Sequence, residues 1–183
     1  MRGKSHISLG RYLLAHYLSD LPRSYQRAFL FGCIQPDRNP ATYLKGSIRF
    51  QWLRGHNYHN ARQFMNRISR RLEQKETLKL YDYYTLGKLI HYTADAFTFA
   101  HNDTFPTKLS DHRDYEISLQ NCFLDYLHSN PRINVKSERT VMDGITRYHR
   151  EYSSKSMDIH RDCRYVLQAC CCVLAILLIP NLP

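Results

Sequence analysis

Apolar side chains recur every three or four residues along most of the chain, which is the spacing of one buried face of an α-helix. The predicted helices cover residues 8–18, 24–31, 58–74, 78–99, 111–127, 137–152 and 157–178. No stretch alternates apolar and polar residues long enough to predict a strand. We therefore predict an all-α fold, a compact bundle of six or seven helices formed by residues 1–183 as a single domain.

Prolines mark the main interruption of this pattern. Pro36 and Pro40 predict that residues 35–39 are extended or turned, because proline disfavours the helical conformation of the residue before it. Asp37 is therefore expected on a constrained loop. The segment that follows, as far as Gly55, is irregular and could lie over a site. With seven glycines and seven prolines, the chain has too few turn residues for a many-stranded barrel or sandwich.

Charge and apolar content indicate which partners and which cellular location to expect. The chain has 26 Lys and Arg against 16 Asp and Glu, a formal charge of +10, which attracts phosphates, nucleic acid and anionic lipid surfaces. The most apolar stretch, residues 166–179, is shorter than the roughly 20 residues that a bilayer crossing needs, so it predicts a buried C-terminal helix and no transmembrane segment. No apolar signal core follows Met1, which favours a cytoplasmic location. The six cysteines, three of them consecutive, are interpreted as small buried side chains.

Ten histidines are the first sign of metal chemistry, because neutral imidazole is the commonest metal ligand. His91 and Asp95 are four residues apart on a predicted helix, and His112 and Glu116 repeat that spacing on the next. Residues four apart project from the same helix face, so two packed helices could join these pairs, with His101 between them, into one zinc site.

A single pair of histidine and carboxylate four residues apart on a helix is more often a surface salt bridge. His91, however, lies in the most apolar part of its helix, and burying it with Asp95 without a partner costs several kcal/mol. A bound metal would remove that cost. Other residues could complete a cluster, although each alone has a plain structural explanation as a terminal, turn or capping residue: His6, Asp37, His56 and His59.

In chain order, the candidates resemble the ligand pattern of the bacterial zinc-dependent phospholipase C family, a scaffold shared with fungal single-strand nucleases. The matching residues are His6, Asp37, His56, His91-xxx-Asp95, His101 and His112-xxx-Glu116. The resemblance spans about residues 4–125 and is strongest over residues 86–116. It implies a helical bundle with a site for two or three zinc ions in its core cleft.

By analogy with the family, three ligand groups are expected. One ion is held by Asp37, His56, His91 and Asp95, and a second by His101, His112 and Glu116. A third is held by His6, by Asp95 as a bridging ligand, and by the main-chain amine and carbonyl of the first residue. Two points depart from the family pattern. Family enzymes of known activity start with a Trp left by processing, whereas this chain starts Met1-Arg2, so the third ion is held by the Met1 amine, held weakly or absent. His59 remains an alternative to His56.

The resemblance implies a zinc-dependent phosphoric-ester hydrolase with phospholipase C-like cleavage of a phosphodiester by zinc-activated water. Asp37 is the expected general base or water-orienting residue. We expect Tyr58, Tyr92 and Asn102 to hold the ligating imidazoles. The expected partners are an anionic phosphoester, phospholipid among them, and a membrane surface contacted peripherally. The alternatives are a nuclease or phosphatase on the same scaffold, with nucleic acid as a partner, and a non-catalytic metal-stabilised binding module.

Overall fold

The computed structural model describes residues 1–39, 58–102, 109–131, 133–135, 138–154 and 158–178, without the side chains of residues 109–112. Within these ranges every regular element is helical, which confirms the all-α expectation. The elements are α1 (Gly3–Tyr17), α2 (Arg23–Arg38), α3 (Tyr58–Glu73), α4 (Leu80–Ala96), a 3₁₀ turn (Phe99–His101), α5 (Leu109–His128), α6 (Val141–Ser153) and α7 (Ile159–Leu178).

Helix α2 corrects one expectation. It does not stop before Pro36 but runs through it to Arg38, and the amide of Asn39 still donates to the Gln35 carbonyl at 3.1 Å. A proline inside a helix costs about 3 kcal/mol. Here Pro36 is buried, together with Phe29 and Cys33 earlier on the same helix, so tertiary packing outweighs that cost. Asp37 therefore lies on the last turn of α2 and not on a loop.

Helices α2 and α4 run in the same direction and touch backbone to backbone. Gly32 and Gly87 face each other at the crossing. A Cβ built on Gly87 would lie 2.9 Å from the Cα of Gly32, and closer still to the carbonyl oxygen of Phe29. Only glycine allows this approach. Because the two helices are parallel, the crossing brings Asp37 beside the second half of α4.

The remaining helices enclose this pair. Helix α7 packs on α4, α5 and α6, and most of its side chains are buried. This confirms the expected buried C-terminal helix. The four predicted inward positions of α5 are also buried: Tyr115, Leu119, Phe123 and Leu127. Five of the six cysteines are buried and Cys122 is partly exposed. None of the helices in the described part of the chain combines the length and apolarity that a bilayer crossing requires.

Candidate metal centre

Three buried side chains from two helices meet at the centre of the bundle. The carboxylate of Asp95 places Oδ1 3.2 Å from Nε2 of His6 and Oδ2 3.2 Å from Nε2 of His91. The two imidazole rings stack at 3.9 Å between centroids with an angle of 19° between their planes. His6 comes from α1, and His91 and Asp95 come from successive turns of α4. The carboxylate therefore presents one oxygen to each ring.

These separations match those expected between two ligands of one metal ion. Two ligands at zinc distances of 2.0–2.1 Å in tetrahedral geometry are about 3.3 Å apart. Among the described residues, neither ring nitrogen of the buried His6 makes a hydrogen bond of good geometry, and Nε2 faces Oδ1 of Asp95 as an ion-pair contact. An unsatisfied buried polar group costs about 1–3 kcal/mol, which a metal at Nε2 would offset. Imidazole nitrogen with carboxylate oxygen is also a donor set that zinc prefers.

Asp37 closes the group from α2. Its Oδ1 lies 3.6 Å from Nε2 of His91, and its Oδ2 lies 4.0 Å from Nε2 of His6. The Asp37 side chain is 24% exposed, whereas the side chains of His6, His91 and Asp95 are at most 1% exposed. Asp37 is thus the most accessible member of the group.

The ring of His91 is fixed by a backbone acceptor. Its Nδ1 lies 2.8 Å from the carbonyl oxygen of Cys33 on α2. A carbonyl oxygen can only accept, so Nδ1 carries the hydrogen and Nε2 presents its lone pair to the carboxylates. That is the tautomer a metal at Nε2 requires.

Thr98 orients His101 in a similar way. Its hydroxyl donates to the Asp95 carbonyl at 2.8 Å and lies 2.7 Å from Nδ1 of His101. A hydroxyl has one hydrogen, so toward His101 it accepts from Nδ1–H. Nε2 of His101 is then left to bind a metal.

The amino group of Met1 joins the two sides of the site. It lies 2.8 Å from Oδ1 of Asp95, 3.3 Å from Oε1 of Glu116, and 3.4 Å from Nε2 of His101. The Glu116 side chain is 20% exposed, so this side of the site is accessible too. His101 and Glu116 therefore converge on the region that Asp95 already occupies.

Burial and charge set the protonation states. Burial, together with the neighbouring His91 ring, lowers the pKa of His6 to about 4. For Asp95, burial alone would raise the pKa, but the Met1 amine and the surrounding imidazoles hold it well below its usual range. For the Met1 amine, the carboxylates outweigh burial and raise its pKa. At neutral pH the site therefore offers a neutral imidazole at His6 and an ionised carboxylate at Asp95.

The family comparison agrees with this chemistry. The family model for zinc-dependent phospholipase C matches residues 5–163. The chain belongs to this family. No curated protein and no solved structure matched the chain. Membership indicates a hydrolase, zinc as the metal and a phospholipid-type substrate, and it gives no support to nucleic acid as a partner.

Several expected ligands of this phospholipase C-family chain meet in the structure: His6, Asp37, His91, Asp95, His101 and Glu116. The positions of two other candidate side chains are not described. His56 lies outside the described residues, as does the side chain of His112, whose backbone belongs to α5. The alternative, His59, is exposed near the start of α3.

The contacts of two candidate ligands differ in part from those expected from the sequence. The Cys33 carbonyl contacts Nδ1 of His91 and the Thr98 hydroxyl contacts Nδ1 of His101, while the expected Tyr92 meets the His91 ring edge-on at 5.4 Å between centroids. Asn102 instead contacts Nε2 of His149 at 3.0 Å, and Tyr58 stacks on the same ring. The spacing Asp95-xx-Thr98-xx-His101 is a sequence signal that could have found Thr98. Nothing in the sequence identifies the Cys33 carbonyl.

Proposed function

We propose that this chain hydrolyses a phosphodiester bond of a phospholipid at a site for two or three zinc ions. The single observation that carries the proposal is the shared carboxylate of Asp95, whose two oxygens face His6 and His91 at 3.2 Å. One ion would be held by Asp37, His91 and Asp95, with His56 as the remaining candidate. His101 and Glu116, with His112, would hold a second, and His6, Asp95 and the Met1 amine a third.

The proposed roles of the side chains follow from how exposed each of them is. Bound zinc would supply a Lewis acid and would lower the pKa of a water to about 7. The buried His91 and the partly buried His101 would fix positions, since the Cys33 carbonyl and the Thr98 hydroxyl hold their rings in one tautomer. Asp37, partly exposed and next to Nε2 of His91, is the proposed acceptor of the water proton. The formal charge of +10 favours approach of an anionic ester.

The proposed contact with lipid is an aromatic patch at the first turns of α4, made of Phe31, Leu80, Tyr81 and Tyr84. The first three are 51%, 46% and 58% exposed. Phe31 and Tyr81 both pack against the Tyr84 ring, at 5.6 and 5.7 Å. Arg71 and Lys88 lie over the rings of Tyr81 and Tyr84. Apolar rings beside cations suit an anionic membrane surface.

The defining experiment joins metal analysis to hydrolysis. We expect the purified protein to contain two or three zinc ions and to release diacylglycerol from phosphatidylcholine, and a chelator should abolish the release. His91→Ala should remove this activity, and Asp37→Asn should lower it strongly while keeping the zinc that the buried ligands hold. His128→Ala, an exposed histidine at the end of α5, is the matched control and should behave as the unmodified chain.

Three outcomes would reject the proposal. Full activity in both site variants would show that chemistry occurs elsewhere. Hydrolysis of single-stranded DNA with lecithin untouched would favour the nuclease alternative. One tightly held ion with no hydrolysis of any ester would favour a metal-stabilised binding module, because a structural zinc site is closed to substrate.

A further inference from the structure

A second buried carboxylate, Asp162 near the start of α7, lies beyond the proposed ligands. It is fully buried. Its Oδ1 accepts from the Tyr152 hydroxyl at 2.8 Å. Its Oδ2 accepts from the Tyr115 hydroxyl and from the backbone amide of Phe99, the latter at 3.2 Å. The Phe99 amide also donates to the Tyr115 hydroxyl at 2.9 Å. One side chain therefore joins α5, α6, α7 and the 3₁₀ turn.

Two of these donors belong to residues that lie within two positions of a proposed zinc ligand in the sequence. Phe99 opens the 3₁₀ turn that ends at His101. Tyr115 immediately precedes Glu116 on α5. Successive helix residues are about 100° apart around the axis, so anchoring Tyr115 toward Asp162 fixes the direction in which Glu116 leaves the helix. The same carboxylate oxygen thereby sets the relative position of His101 and Glu116.

The other ligand group is positioned mainly by different helices. His6, His91 and Asp95 come from α1 and α4, and the contact that fixes His91 is the Cys33 carbonyl of α2. None of these contacts involves Asp162. Loss of the Asp162 carboxylate should therefore disturb one metal position and spare the other.

We propose that Asp162 is a positioning residue for the zinc ion held by His101 and Glu116, acting through Phe99 and Tyr115. This inference rests on the proposed function, since it assigns a role within that metal site. Asp162 touches neither ion nor substrate. Its effect is to hold His101 and Glu116, which come from different segments, at a fixed distance from each other. Mutation of residues that position metal ligands in this way typically lowers metal affinity by about 10–100-fold.

The test compares two buried aspartates. Asp162→Asn keeps the shape of the side chain, but its amide nitrogen cannot accept from a hydrogen-bond donor. Asp82→Asn is the matched control, because Asp82 is equally buried yet is paired with Lys75 and the Lys79 amide, before the start of α4. Zinc is counted after dialysis against a weak chelator, and the protein is reloaded with Co²⁺ to record the visible absorption of the metal. Circular dichroism checks folding.

We expect Asp162→Asn to lose about one equivalent of zinc, with affinity for that ion at least about tenfold weaker, and to show an altered Co²⁺ spectrum. Asp82→Asn should keep full zinc and the unmodified spectrum, even if it unfolds more easily. Equal zinc loss in both variants, or full zinc with an unchanged spectrum in Asp162→Asn, would overturn the inference.

A second variant covers the case in which Asp162→Asn does not fold. Tyr115→Phe removes one hydrogen-bond donor and leaves the Asp162 carboxylate in place. It should lower the affinity for the same zinc ion and change the same Co²⁺ absorption bands. A folded Tyr115→Phe with unmodified zinc affinity and spectrum would overturn the inference. Failure of the proposed function looks different, because the unmodified chain itself would then release no diacylglycerol or would hold fewer than two zinc ions.

Discussion

His6 carries the sharpest prediction at the residue scale, because the ring is buried and its pKa is lowered to about 4. In unfolded chains the pKa of histidine is about 6.5. As pH falls between these values, the unfolded state binds a proton that the folded state refuses, so stability is lost. For the metal-free protein we expect a loss of up to about 3 kcal/mol between pH 6.5 and 4 from this group.

Urea unfolding in the presence of a chelator measures this loss. His6→Gln should flatten the pH dependence within that window, whereas His128→Gln, at an exposed position, should leave it unchanged. The depressed pKa of Asp95 adds acid sensitivity only below pH about 4, so the two groups can be separated. Parallel curves for His6→Gln and the unmodified chain would contradict the assignment.

At the scale of elements, the glycine crossing of α2 and α4 determines whether the site can form. Gly87→Ala would favour an isolated helix by about 1 kcal/mol. Here the added Cβ meets rigid backbone of α2, so we expect a net loss of about 3 kcal/mol in the free energy of unfolding. The helices would have to separate, which would also lengthen the contact between His91 and the Cys33 carbonyl and weaken zinc binding.

Gly10→Ala is the control for this prediction. Its Cβ would meet only side-chain atoms, Leu30 Cδ2 at 2.9 Å and Cys33 Sγ at 3.3 Å, and these can move. Urea unfolding and zinc titration compare the two variants. The prediction is wrong if Gly87→Ala is as stable as Gly10→Ala and binds zinc as tightly as the unmodified chain.

Helix positions were largely predictable, and the reasons are local. The three-to-four residue period of α3 and α5 needs no knowledge of the rest of the chain, and their buried faces are where that period indicates. The path of α2 through Pro36 was not predictable, because it depends on how closely α4 approaches. Spacing and resemblance named the candidate ligands, several of which lie together in the bundle. Which oxygen of Asp95 faces which ring is a property of the packed bundle alone.

At the scale of the whole molecule, the aromatic patch lies close to the metal centre. Tyr84 and His91 are seven residues apart on α4, so they share a helix face and are about 10 Å apart along its axis. A protein bound to lipid through Phe31 and Tyr81 would therefore hold its site near the surface that carries the substrate.

Vesicle sedimentation tests this arrangement. The double variant Phe31→Ser/Tyr81→Ser should bind vesicles of phosphatidylcholine and phosphatidylserine at least about tenfold more weakly, because two half-exposed rings no longer enter the lipid. Added salt should also weaken the binding of the unmodified chain to these vesicles. Tyr17→Ser, at a 37% exposed tyrosine of α1, is the control. Equal binding by the double variant and this control would exclude the patch as the lipid contact.

The acceptor that orients His91 is main chain, and this affects how the protein tolerates mutation. No substitution at position 33 deletes a carbonyl oxygen, so the imidazole keeps its partner whatever side chain stands there. Saturation mutagenesis at that position would report only how well each side chain fits the interior. Neither such a screen nor natural sequence variation at this position would therefore reveal the backbone carbonyl that selects the metal-binding tautomer of His91.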